Sequence, residues 1–199
     1  ADGTLDARLA ALDILIESEH GADSSAFLVT TSAELAQQVT AVLPEYMAQM
    51  SDERAAYARV VLTGNKGGVV LAEANEDAYR FINEYAPEHC QILSAAPDAH
   101  IAALTTASEI LTGPYSAGSL ANYMMGPNCV LPTSGAAHAH SPLGVHDFIR
   151  TASLGRVEAA GFDEMAPLTE IFARYEGFDA HANAVSDIRR AILAESEEV

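Results

Sequence analysis

"GGVVLAEANEDAYRFINEYAPEHCQILS", Gly67 to Ser94, decides the fold class. Its first seven residues form an apolar, β-branched run that reads as a strand. "NEDAYRFINEYA" has helical spacing and opens on Asn75, a residue type that caps helices, and "CQILS" reads as a second strand. A strand, a helix of about a dozen residues and another strand make a crossover unit, which pairs its strands in parallel.

The same alternation extends outward in both directions. Upstream, Leu5, Leu9, Leu12 and Ile16 recur at helical spacing until Gly21 stops the run, and "AFLVTT" follows as a buried strand. "TSAE", Thr31 to Glu34, has the pattern of a capping box and predicts a helix to about Met50, with a second helical stretch ending near Ala58. "RVVLTG", Arg59 to Gly64, reads as a strand. Downstream, "APDAHIAALTTA" predicts a helix with Pro97 near its first turn, and "SEILTG" a strand. The fold class expected is therefore α/β, a layered parallel sheet with crossover helices.

After Gly113 the texture changes. Gly, Pro, Ser and Asn crowd the stretch from Gly113 to Pro142, too long for an idle connection and thus a candidate functional loop. From about Val145 the chain reads as helices, ending in the solvated acidic tail "ESEEV". The expected division is an α/β domain over residues 1–144 and a small helical segment over 145–199. "GNKGG" lacks the spacing of a dinucleotide-binding glycine loop and reads as a turn.

Bulk composition narrows the partners. The 199 residues carry a formal charge of −18, from 28 acidic and 10 basic side chains, and Lys66 is the only lysine. Such a surface repels phosphate backbones and anionic lipid, so neither nucleic acid nor a membrane surface is expected as a partner. The acid excess suits a high-salt proteome, and an acidic cytosolic enzyme would read similarly. Two cysteines, Cys90 and Cys129, make no disulfide framework or zinc-finger spacing, which fits a reduced cytoplasm. No apolar run approaches a membrane span, and "ADGTLDARLA" has neither the basic nor the apolar region of a signal peptide.

Several residues are equipped for chemistry. Glu17 and His20 stand three apart on the first helix, so both project from one face and could ligate one metal ion; they could equally be a solvated helix end. Glu88 and His89 follow Pro87 at the start of a strand, and junctions of loops and strands are where open α/β sheets bind ligands. Neighbours on an extended chain point opposite ways, so the two side chains are not expected to touch. Asn122 could coordinate through its amide oxygen, and Cys129 could be a packed thiol or a pocket residue. His181 lies on a late helix, five residues after Glu176. His138, His140 and His146 read as surface or cap residues.

Taken in order, "ESEHGADSS", "APEHCQI", "GPNCVLPTSG" with "SPLGVHDF", and "EGFDAHANAV" resemble the histidinol dehydrogenase family over nearly the whole chain. The resemblance implies a Rossmann-like sheet and NAD-linked, zinc-dependent oxidation of the amino alcohol L-histidinol to L-histidine in the cytoplasm by a homodimer whose helical tail crosses to the partner. It places Glu17, His20, Asn122 and His181 on the metal (Zn2+), Glu88 and His89 in acid/base catalysis, and Cys129, Glu176 and His181 at the substrate. The family's usual residues are glutamine at Glu17, aspartate at Asn122 and histidine at Cys129. The first two departures relocate one carboxylate within the ligand set, whereas a thiol cannot reproduce imidazole's two-ended hydrogen bonding. The resemblance thus leaves two alternatives open: a paralogue acting on another small alcohol, and a non-catalytic metal-binding or dimerisation module. It also implies that about half of the family's length, including the residues that bind NAD, precedes this segment.

Overall fold

The computed structural model describes residues 1–197, and the last two residues of the expected acidic tail, Glu198 and Val199, lie outside the described residues. The chain divides into two compact units, Ala1–Ile149 and Arg150–Val199.

The first unit is α/β. Helix α1 (Ala7–Ser18) is capped by Asp6, whose carboxylate accepts from the Arg8 amide. It leads to strand β1 (Ala26–Thr30), helices α2 (Ala33–Met47) and α3 (Asp52–Thr63), and strand β2 (Gly67–Leu71). Helix α4 (Asn75–Tyr85), strand β3 (His89–Ile92), the one-turn helix α5 (Asp98–Ile101), strand β4 (Glu109–Thr112) and the short helix α6 (Gly118–Tyr123) follow. β1 pairs in parallel with β2, and β3 in parallel with β4. The expected parallel strands with crossover helices are therefore present, arranged as two separate pairs.

Side chains alternate across β1 and bring helices to both faces. Leu28 joins a core with Ala11 and Ile14 of α1 and Leu35 and Val39 of α2. On the opposite face Phe27 meets Phe81 and Tyr85 of α4 edge to face, with ring centroids 5.4 and 5.2 Å away. A second cluster joins Cys90 and Ile92 of β3 to Leu104, with Tyr79 and Ile82 of α4 packed against it.

Three local expectations are corrected. "RVVLTG" is mostly the end of α3 and not a strand: Ser51 caps the helix, and Ala58 and Val61, three apart, form its buried face. The Val60–Val61 pair imitates a strand, but burial at helical period overrides β-propensity. The α2 cap is Ser32, whose hydroxyl accepts from the Leu35 amide at 3.1 Å; Thr31 is one residue too early. Asn75 is the first residue of α4, not its cap, which is Ala74 without a side-chain bond.

The second unit contains helices α7 (Ala159–Tyr175), α8 (Asp179–Asn183) and α9 (Asp187–Glu197). Met165, Leu168, Phe172 and Tyr175, spaced along one side of α7, are exposed. No helix among the described residues is long and apolar enough to cross a membrane.

Candidate functional site

The site forms where helices hand the chain over to strands, at the amino-terminal ends of β1, β3 and β4. The α1 terminus is held first. Arg54 of α3 donates to the carbonyls of Glu19 and His20 at 3.0 and 3.4 Å, satisfying acceptors that the helix leaves free. This fixes the backbone that carries Glu17 and His20, whose carboxylate and ring Nε2 stand 3.9 Å apart at the solvent boundary.

The second contribution comes from the end of α4. Ala86 takes a left-handed conformation, φ 51°, and its amide donates back to the Ile82 carbonyl. A non-glycine residue there carries about 1 kcal/mol or more of strain. Ala86 is nevertheless almost fully buried, so packing holds the turn that delivers Pro87, Glu88 and His89 to β3.

Glu88 and His89 then diverge, as neighbours on an extended chain must. Burial raises the Glu88 carboxyl above its ordinary value; the nearby Glu17 carboxylate adds to the rise, while His89 and His20 oppose it. Glu88 therefore sits within electrostatic reach of Glu17 on α1 and of His20 just beyond it. His89 instead faces Glu109 at the first rung of the β3–β4 ladder. Its Nδ1 donates to the Glu109 carboxylate at 2.7 Å, and the two side chains are only 18% and 11% exposed. That bond fixes the ring and leaves Nε2 as the nitrogen free to exchange a proton with a ligand.

Sequence reasoning missed Glu109. The available signal was an acidic residue opening "SEILTG", because in a parallel pair the opening residues of two strands can share a rung. Arg54 gave no comparable signal.

The loop expected to be functional folds back over these elements. Gly118, at the start of α6, lies against Ile16 of α1, where an added Cβ would come within 3.5 Å of the Ile16 side chain. Asn122 is half-buried on α6, and the exposed Cys129 thiol lies 3.4 Å from its side-chain oxygen. His138 reaches the Glu84 carbonyl at the end of α4. Cys90, in contrast, is buried, and its thiol is pushed up to about 11, which removes it as a nucleophile at neutral pH.

Two pairs are thus formed, Glu17 with His20 and His89 with Glu109, and Glu88 lies within electrostatic reach of Glu17, His20 and His89; Asn122 is on α6, and Cys129 follows in the loop after it. Glu176 and His181 belong to the second unit. Glu176 caps α7, and His181 sits on α8 with its ring 5.2 Å from Phe178. Among the described residues no three His, Cys, Asp or Glu side chains gather in a metal-holding group. The donor types at Glu17, His20, Asn122 and His181, one carboxylate, one amide and two imidazoles, nonetheless suit a borderline divalent cation such as zinc.

Comparison with known proteins identifies the family. A family model described as "Histidinol dehydrogenase" matches residues 1–189. A "Histidinol dehydrogenase homolog 2" from Mesorhizobium japonicum is 52% identical over 98% of this chain and 44% of its own length. A "Histidinol dehydrogenase" from Synechocystis sp. is 42% identical over 94% of this chain and 43% of its own. The crystal structure of histidinol dehydrogenase from Elizabethkingia anophelis superposes with a TM-score of 0.87 at 29% identity, over 96% of this chain and 43% of that one. The chain spans less than half the length of these relatives, and with its fold, its ordered motifs and this match in hand, it belongs to the histidinol dehydrogenase family.

Proposed function

We propose that this chain forms the metal- and acid/base-bearing part of a cytoplasmic, zinc-dependent, NAD-linked dehydrogenase that oxidises a small amino alcohol to the corresponding acid, with L-histidinol to L-histidine as the leading substrate and product. The observation that carries the reading is the half-buried His89–Glu109 pair, bonded at 2.7 Å and directly following Glu88, whose carboxyl feels the charges of Glu17 and His20.

Glu17 and His20, with Asn122 and His181, would hold the cation. When bound, zinc supplies a Lewis acid for the substrate's oxygen, and NAD an acceptor for hydride. The remaining work falls to this chain's own groups. His89, with Nδ1 tied to Glu109, takes the substrate's proton at Nε2 and passes it on. Glu88, a stronger base than an ordinary carboxylate because burial penalises its charge, removes a proton from the water that attacks the aldehyde stage. Glu176 and Cys129 contact the substrate. The residues that bind NAD belong to the family's length outside this chain.

A second reading, a paralogue acting on a different small alcohol, has its own support. Four relatives named as histidinol dehydrogenase homologs are 48% to 52% identical, whereas the Synechocystis relative, named simply histidinol dehydrogenase, is 42% identical. Cys129 also replaces the usual histidine at a substrate position. A homodimer that exchanges its helical tail fits the exposed apolar side of α7, which needs a cover.

The deciding experiment is a screen of the complete enzyme against L-histidinol and other small alcohols, following the formation of NADH by its absorbance. Turnover of L-histidinol supports the first reading. Turnover of another alcohol alone supports the paralogue, and NADH formation from L-histidinol by this chain on its own would refute the reading of the isolated chain as a non-catalytic metal-binding or dimerisation module.

A further inference from the structure

The corner between α2 and α3 carries a groove that none of the acid/base or ligand residues lines. α2 packs against α1, and α3 against β2, and between the two helices a cavity of about 680 Å³ stays open. Each helix turns one stripe toward it: Leu43 and Met47 on α2, and Ala55, Arg59 and Leu62 on α3, all at helical spacing. On the β2 side the lining is Val69 and Gly68, which has φ 116° and no side chain to fill the space.

The polar groups of this lining are accounted for, with one exception. The Thr40 and Thr63 hydroxyls donate to carbonyls of their own helices, at Ala36 and Arg59. Asp52 is a first-turn acid at the positive end of α3. The exception is the Arg59 guanidinium. Besides histidine, the cationic side chains of the first unit are Arg8, Arg54, Arg59, Lys66 and Arg80. Arg8 and Arg80 pair with Asp6 and Asp77, while Arg54 and Lys66 donate to backbone carbonyls. Among the described residues the Arg59 guanidinium has neither an ion pair nor a hydrogen bond, in a chain where 28 acidic side chains compete for 10 basic ones.

We propose that the groove binds a small amphipathic monocarboxylate, with its carboxylate on Arg59 and its apolar body between Leu43, Met47, Leu62 and Val69. A planar guanidinium takes a carboxylate through two parallel N–H···O bonds. One cation balances one negative charge, so a phosphate or a dicarboxylate would leave charge uncovered against a chain of net charge −18. Asp52 sets the direction. It stands seven residues before Arg59 on the same helix, roughly 10 Å away along the axis, and its carboxylate repels the ligand's and leaves that end to apolar atoms. A concave, mostly apolar lining with one placed polar group is the usual form of a small-molecule site. This inference does not rest on the proposed activity.

Methionine methyl resonances test it in the complete enzyme, with Met47→Leu and Met50→Leu variants assigning the two signals from the groove. Met124, Met125 and Met165 lie elsewhere and serve as controls. Hexanoate should shift the Met47 and Met50 signals together and saturably, in the millimolar range or below, and leave the controls in place. Arg59→Gln, at an exposed position, should keep the fold and weaken that response by about 10-fold or more, the loss of a charge-assisted pair. Hexanamide, equal in length and uncharged, should bind parent and variant equally weakly. Unmoved Met47 and Met50 signals, an unchanged affinity in Arg59→Gln, or a uniform drift that includes the controls would each overturn the proposal. Competition by inorganic phosphate at the concentration of hexanoate would overturn the assigned charge. Groove signals that move with protein concentration, without hexanoate, would show a second copy there and overturn the assigned ligand.

Discussion

The two strand pairs open on the same rung of the same kind of ladder and use it for opposite ends. In β1–β2 that rung is Ala26 opposite Gly67, and in β3–β4 it is His89 opposite Glu109. At Gly67 a Cβ would stand 2.6 Å from the Ala26 carbonyl oxygen and 2.8 Å from that of Val61, so the backbone leaves no room for a side chain. At the other rung two ionisable side chains fill the corresponding space. Parallel pairing thus supplies a frame, and the residues at its amino-terminal rung determine whether a pair is scaffold or chemistry.

Four measurements would break or sharpen that contrast. His89→Ala in the complete enzyme should lower turnover by about 10² to 10⁴, the usual contribution of a positioned acid/base group, with metal content unchanged. Loss of zinc by elemental analysis in that variant would move His89 from chemistry to scaffold. At the opposite rung, Gly67→Ala should cost about 2 to 3 kcal/mol of stability in denaturant unfolding, because carbonyl oxygens on two sides cannot both retreat. A neutral result would mean that β1 and β2 approach less closely than described.

Glu109→Ala should reduce turnover by roughly 10- to 100-fold, the loss of one charge-assisted hydrogen bond. The ring nitrogen shifts of His89 should report mixed tautomers in that variant, and an unchanged Nδ1–H form would refute the positioning role. Glu88→Gln should give the smallest effect on stability. The folded state holds the Glu88 proton more tightly than the unfolded chain does, so its favourable contribution is complete below the ordinary value of 4.5 and lost as pH rises through the raised one. The variant should therefore be more stable than the parent at pH about 7, by less than about 1 kcal/mol, and equal to it below pH about 4. The same shift moves the acid limb of activity upward in the parent enzyme.

The sequence made much of this frame legible, for reasons that can be assigned. β1, β2 and β4 are apolar runs bounded by helices and turns, and β3 follows Pro87, so each declared itself locally. Glu17 and His20 do come within 3.9 Å, but α1 ends at Ser18, so His20 stands past the helix and the pair does not share a helix face as the spacing predicts. "RVVLTG" misled because two valines favour a strand while Ala58 and Val61 obey the burial period of a helix. The His89–Glu109 pair, twenty residues apart, depends on parallel register, which tertiary packing sets. The site's position also departs from the general rule. Open α/β sheets place ligands at the carboxyl ends of their strands, whereas Glu88, His89 and Glu109 stand at the amino ends.

The turn at Ala86 limits what natural variation can do at this spot. A buried position with positive φ admits glycine readily, alanine at a small penalty, and asparagine only if its amide finds room. Valine, isoleucine or threonine there would swing Pro87 and the acid behind it out of alignment. A survey of homologous sequences should accordingly find a very short alphabet directly before the proline, even where the surrounding helix drifts freely.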